Sequence, residues 1–371
     1  MALPADGSRP ASGRCFVTLA VAILLLSIAL KLVLVSHIDG RVYGDVQRAV
    51  NFGYAVDEGR AHITTHSDQT KTFVGPLIWY RLFLAGGAGA VKAVNFVFFV
   101  LLFTAQLALA RRLTNDETAL VTAVLFAFYV GTVRNVVAGE PDDMVAALCV
   151  AAAILAWVTR GRGDLAGGLV GVGFVFKFWA GIFFLGFAAY LAYQRRWKEL
   201  VIAAAASVVP FALVNLADSG QSLRGLVFSA GIQLGYSSWN IVAFKLVSTG
   251  ILAGTLIAAY QQWRRPTEAG KLLLPLALAY PIYMVLMRDA HAASFVGMLW
   301  IVFAGPLLAL WVLQLRPPGV SRKVVAGAVL AVYVVVATGL AAYRLHHDTQ
   351  DLYLTRGDSY ESREPFRLMR P

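Results

Sequence analysis

FVTLAVAILLLSIALKLVLVS, residues 16–36, is an apolar run of membrane-spanning length. A bilayer core about 30 Å thick takes about 20 helical residues. No small-residue cleavage site follows the run, so it is expected to remain as a first transmembrane helix rather than leave as a signal peptide. The character then changes abruptly to HIDGRVYGDVQRAVNFGYAVDEG, residues 37–59, which is polar, aromatic and mixed in charge. With the first span taken as 15–36, ten more apolar stretches follow, at 93–110, 118–136, 143–159, 165–178, 179–194, 199–216, 240–260, 270–287, 295–314 and 323–342. The segment PLIWYRLFLAGGAGAV, residues 76–91, is short, Gly-rich and interrupted by Arg81, and reads as a re-entrant or interfacial piece.

Composition agrees with this reading. Of 371 residues, 58% are hydrophobic and 14% charged, and the mean hydropathy is +0.67. A soluble domain carries about 25% charged residues, so a water-soluble enzyme, a disordered chain and a collagen-like chain are all excluded. Cys15 and Cys149 both sit in apolar segments and are not expected to pair. The fold class expected is all-α: a polytopic membrane protein of about eleven transmembrane helices. It forms one integral-membrane domain over 1–371, with the first span at 15–36, an outer loop at 37–92, the other spans within 93–342 and an outer tail at 343–371.

Charge sets the orientation. When 76–91 is not counted as a span, the loops holding Arg111 and Arg112, Arg160 and Arg162, Arg195, Arg196 and Lys198, Arg264, Arg265 and Lys271, and Arg316, Arg322 and Lys323 all fall on one side. Basic loops mark the cytoplasm. The net charge of +11 therefore needs no nucleic acid. The outer side receives 37–75, VRNVVAGEPDD (133–143), 217–240 and MRDAHAAS (287–294), and the protein is expected in a plasma or inner membrane.

Chemistry is expected on that outer side. No phosphate-binding Gly-rich loop, dinucleotide fingerprint or zinc-ligand spacing is present. Asp39 emerges where the first span reaches the interface, and Asp45 follows. A partly desolvated carboxylate there can act as a general base; equally, Asp39 can cap the next helix. Glu140, Asp142 and Asp143 stand at one helix start, more acids than capping requires. Lys177 lies in the apolar run GLVGVGFVFKFWAGIFFLGF. An ionisable group inside a span is by default a functional hypothesis, and its insertion costs about 2.5–3.5 kcal/mol. An anion such as a phosphate is its expected partner, and Lys177→Met is expected to leave stability intact or raise it. Arg288 and His291 follow a later span on the outer side.

Four motifs carry a resemblance. They are Asp39-x-x-Val42-Tyr43-x-Asp45 with Glu58-Gly59, then Phe73-Val74-Gly75-Pro76-Leu77, then Ala138-Gly139-Glu140-Pro141-Asp142-Asp143, then Ala166-Gly167, Gly171 and Lys177. In order and spacing, over roughly 35–200, they resemble the GT-C mannosyltransferases that use polyprenyl-phosphate sugars. Among these are the catalytic subunit of GPI mannosyltransferase I and the bacterial polytopic mannosyltransferases. Two positions depart from the pattern: His37 stands where the family's Asp-x-Asp begins, and Phe178-Trp179 follow the lysine in place of Tyr-Pro.

The resemblance implies an inverting glycosyltransferase. A sugar, mannose by this likeness, moves from a polyprenyl-phosphate donor to a lipid or glycan acceptor on the non-cytoplasmic face. Asp39 is the implied base. Asp45, Glu140, Asp142 and Asp143 orient the acceptor or the base, with Mg2+ or Mn2+ as the compatible ion. Lys177, Arg288, Arg134 and His291 are the candidates to hold the departing phosphate. Tyr43, Trp79, Tyr236 and Trp239 are the candidates to stack on sugar rings. A small membrane subunit is a conceivable partner. Two other classes compete: a transporter or flippase of lipid-linked sugar, against which stands the lack of an internal repeat, and a non-catalytic assembly subunit.

Overall fold

The fold is that of a computed structural model, which describes residues 13–38, 42–59, 72–233, 238–288, 297–315, 317–347 and 352–353. Its helices follow the apolar runs. In chain order the first elements are α1 (Gly13–Ser36), a two-residue strand β1 (Val42–Tyr43), α2 (Gly44–Asp57), α3 (Val74–Leu113), α4 (Asp116–Phe128), α5 (Val130–Ala138), α6 (Pro141–Arg160), α7 (Gly163–Phe176) and α8 (Ala180–Tyr193). Then come α9 (Trp197–Ala217), α10 (Gln221–Gln233), α11 (Trp239–Ser248), α12 (Ile251–Arg264), α13 (Glu268–Met287), α14 (Gly297–Gln314), α15 (Arg322–His347) and a second short strand, β2 (Leu352–Tyr353). Punctuation residues explain several boundaries. Asn115 caps α4 by accepting from the Thr118 N–H at 2.9 Å, and Thr267 caps α13 by accepting from the Gly270 N–H at 3.0 Å.

Every one of the expected apolar stretches is helical, and the protein is a polytopic helical membrane protein. Among the described residues seven helices (α1, α3, α6, α9, α13, α14 and α15) are long and apolar enough to cross a membrane unaided. The stretches 118–136 and 240–260 are instead bent pairs, α4 with α5 at 52° and α11 with α12 at 66°. The stretches 165–178 and 179–194 form α7 and α8, of 14 residues each. At about 1.5 Å per residue these span about 21 Å, short of a 30 Å core. The segment 76–91 is not separate from the next span. It forms the first part of α3, which breaks at Gly86 and at Gly87 (φ 64°, ψ −160°). That conformation excludes side chains with a Cβ and makes the kink a glycine kink.

Packing sorts the helices into a core and a lipid-facing shell. α14 is buried along most of its length, while the apolar windows of α1, α9 and α15 are mostly uncovered. Small residues permit the closest crossing. A Cβ on Gly167 would lie 2.0 Å from the Ala203 carbonyl oxygen, and one on Gly171 would lie 2.3 Å from that of Ser207. α7 and α9 therefore touch backbone to backbone, the usual way helices associate in lipid. The strands pair antiparallel, Val42 with Tyr353 and Tyr43 with Leu352. The segment after the first span and the segment after the last thus lie side by side.

Candidate functional site

The start of α6 anchors the site. α5 ends at Gly139, in a left-handed conformation (φ 72°), and the chain turns so that Pro141 opens α6 with Asp142 and Asp143 in its first turn. Glu140, Asp142 and Asp143 are 1%, 1% and 2% exposed. Three carboxylates with so little water need built partners, and other segments supply them.

Lys177 comes from the α7–α8 turn. It is not inside a helix, as its apolar neighbours suggested, but ends α7 with extended backbone (φ −152°, ψ 123°). Its Nζ lies 3.6 Å from Glu140 Oε1 and 3.9 Å from Asp143 Oδ1. Lys177 thus shares its charge with the carboxylates of this cluster. Two indoles complete the arrangement. Trp179 Nε1 donates to Asp143 Oδ1 at 2.7 Å, and Trp79 Nε1 donates to Asp142 Oδ1 at 2.5 Å. Trp79 is buried beside Phe98 and Phe176. Its ring orients Asp142.

The start of α3 is shaped to fit this contact. Thr72 ties it to the last turn of α7, its Oγ1 donating to the Val175 carbonyl at 2.9 Å. A Cβ on Gly75 would lie 2.2 Å from Asp142 Oδ1. Gly75→Ala is therefore expected to push Asp142 off Trp79. Overpacking of this kind costs about 1–3 kcal/mol, and thermal unfolding of the purified variant in detergent measures it.

Arg134, expected in a loop, stands within α5, buried beside Asn135. Sequence reasoning missed three residues here. Trp179 sits at one of the positions departing from the family pattern. Asn95 Nδ2 donates to the Asn135 carbonyl at 2.8 Å, which fixes α3 to α5. Lys92 is buried one turn before Asn95, and among the described residues its Nζ has no hydrogen-bond partner. A Cβ on Gly139 would come within 3.3 Å of its Cγ, so this ammonium lies beside the turn that opens the site. The signal was the one used for Lys177: a charge within an otherwise apolar run.

Arg288 and Trp239 are brought together, the guanidinium 5.1 Å from the indole centroid, so one expected phosphate ligand covers one expected sugar-stacking ring. Asp39, His291 and Tyr236 lie outside the described residues, as do the side chains of Asp45 and Tyr43. Position 45 is one helical turn before Ala49 on α2, and Ala49 packs against Trp79 and Val145. Among the described residues no group of three or more His, Cys, Asp or Glu side chains could hold a metal ion. Asp142 and Asp143 are each engaged by a different indole.

The comparisons bear on the fold. No protein-family model matches the chain, and no curated protein matches it in sequence. Among solved structures it is similar to ArnT from Cupriavidus metallidurans bound to undecaprenyl phosphate, at TM-score 0.58 and 14% identity over 87% of this chain and 75% of that one. It is also similar to the Archaeoglobus fulgidus oligosaccharyltransferase in complex with zinc and sulfate (TM-score 0.52, 15% identity, 88% of this chain, 53% of that one). A third likeness is to the same organism's AglB with an inhibitory peptide and a dolichol-phosphate (TM-score 0.53, 12% identity, 89% and 56%). The chain thus spans about half the length of the oligosaccharyltransferase. It shares the transmembrane fold of these structures.

Proposed function

We infer that the chain is an integral-membrane glycosyltransferase, moving a sugar from a polyprenyl-phosphate donor to a lipid or glycan acceptor on the non-cytoplasmic face. Mannose is the sugar that the sequence motifs favour. The observation that carries this reading is the buried carboxylate cluster at the start of α6, held by Lys177, Trp79 and Trp179 on a GT-C fold. Such a cluster has a high desolvation cost and supports stability only weakly, which favours a functional reason for it.

In this reading the Asp39 carboxylate takes the proton of the acceptor hydroxyl. The acceptor oxygen attacks the anomeric carbon, the bond from that carbon to the phosphate oxygen breaks, and the configuration inverts. The carrier leaves as polyprenyl phosphate, its negative charge stabilised by a fixed cation. With Lys177 committed to carboxylates, Lys92 joins Arg134 and Arg288 as a candidate for that charge. Asp142 and Asp143, oriented by indole N–H groups, position the acceptor.

The deciding experiment uses purified protein in sealed lipid vesicles with radiolabelled polyprenyl-phosphate mannose and a lipid extract as acceptor. Covalent label in a product other than the donor supports the enzyme. Donor movement across vesicles without covalent transfer supports the transporter instead. Sidedness is checked separately. In a Cys15→Ser, Cys149→Ser background, Thr114→Cys is expected to react with an impermeant thiol reagent from the cytoplasmic side and Thr64→Cys from the other. Labelling of both from one side overturns the orientation.

A further inference from the structure

The break between α4 and α5 falls within the apolar stretch 118–136, a bent pair of span length, and carbonyls released by a helix broken within a membrane have no water to turn to. In a continuous helix the Tyr129 N–H would bond the Leu125 carbonyl; here it goes to that of Phe126, at 3.3 Å. The Leu125 carbonyl instead accepts from Tyr333 Oη at 2.6 Å, from α15. The Ala127 carbonyl accepts from Lys31 Nζ at 2.7 Å and Ser27 Oγ at 3.2 Å, both from α1. Lys31 is fully buried. Its ammonium also donates to Ser27 Oγ and lies 4.3 Å from the centroid of the Phe99 ring. With no carboxylate among these partners, its charge is set against the negative end of the α4 dipole, where a cation is stabilised. These contacts occupy the ammonium, so it is not placed to hold a ligand.

We propose that Lys31, assisted by Tyr333, is a positioning residue: it caps the carbonyl end of α4 within the membrane and so fixes the bend that aims α5 at the site. α5 carries Arg134 and Asn135 and leads directly into Glu140. The break is braced from a further direction, since Tyr129 Oη reaches the Thr249 carbonyl at 3.5 Å, beside the α11–α12 bend. The consequence for sugar transfer rests on the function proposed above; the cap itself does not.

The test is amide hydrogen exchange of the intact protein in nanodiscs, with transfer assayed in parallel. In Lys31→Met, amides 128–133 are expected to exchange at least tenfold faster while those of α14 are unchanged. Lys31→Gln, which keeps an N–H donor, is expected to return exchange to within about threefold of wild type and to recover transfer lost in Lys31→Met. Unchanged exchange at 128–133 in Lys31→Met overturns the proposal, as does uniform loosening of all helices or failure of Gln to rescue. Should Lys31→Met not fold, Tyr333→Phe decides the matter, since it removes one hydroxyl and keeps the ring. If wild-type protein transfers no sugar yet the exchange pattern holds, the enzyme reading fails and the cap stands.

Discussion

Asp39→Asn is expected to insert and fold as wild type while losing about 10²–10⁴-fold in sugar transfer, the usual cost of deleting a general base. The substitution separates the two roles open to this residue. Asn caps a helix as well as Asp does, so a capping role leaves both folding and turnover near normal. An amide, however, cannot take the acceptor's proton at neutral pH. Asp39 lies outside the described residues, but Ile38, its neighbour, packs into the main apolar core, so the backbone leading to it is anchored. Asp45→Asn is expected to be milder, since position 45 is assigned to orientation. Initial rates with saturating donor, alongside a thermal melt of each variant, check both. Half or more of wild-type turnover in Asp39→Asn removes the base assignment.

Lys177→Met is expected to destabilise the protein by about 3–5 kcal/mol, the range for deleting one partner of a buried ion pair. This reverses the expectation drawn from an apolar run alone, in which removing a lone charge relieves an insertion cost. Without the ammonium, Glu140 and Asp143 lose the cation they share, while Asp143 keeps the Trp179 N–H. Both transfer and stability should fall together, and the double change Lys177→Met with Glu140→Gln should recover part of the stability by removing one uncompensated charge. A Lys177→Met protein that melts at the wild-type temperature contradicts the pairing.

These two residues mark what can be read from an amino-acid sequence. The spans were legible because lipid imposes a length and a polarity on every crossing helix, and the residues 16–36, 270–287 and 323–342 have little alternative. The kink in α3 was legible through its glycines, but the separate piece expected at 76–91 was not, since it runs on into the next span. Lys177 was legible as a charge out of place but not as the end of a helix, because Phe178 and Trp179 are as apolar as any helix interior. Its partners stand more than thirty residues earlier in the chain, and no local pattern announces a contact of that kind. The Trp79 contact was hidden for the same reason: an indole reads alike whether its face meets a sugar or its N–H meets Asp142, 63 residues away. Lys31 and Lys92 carried the signal that drew attention to Lys177, and only the path of the backbone around them tells a capped helix end from an ammonium without a partner.

The pairing of β1 with β2 imposes a parity rule. Residues 42–43 and 352–353 share a ladder, so the chain between them crosses the bilayer an even number of times. Of the seven long apolar helices and two bent pairs among the described residues, α1 precedes this interval; the six remaining long helices are already an even set, so the two bent pairs must either both cross or both turn back. The Gly86–Gly87 kink likewise cannot divide α3 into two passages, and α7 and α8 must either both traverse or both turn back. Any insertion that adds a single crossing between these strands would have to unzip them.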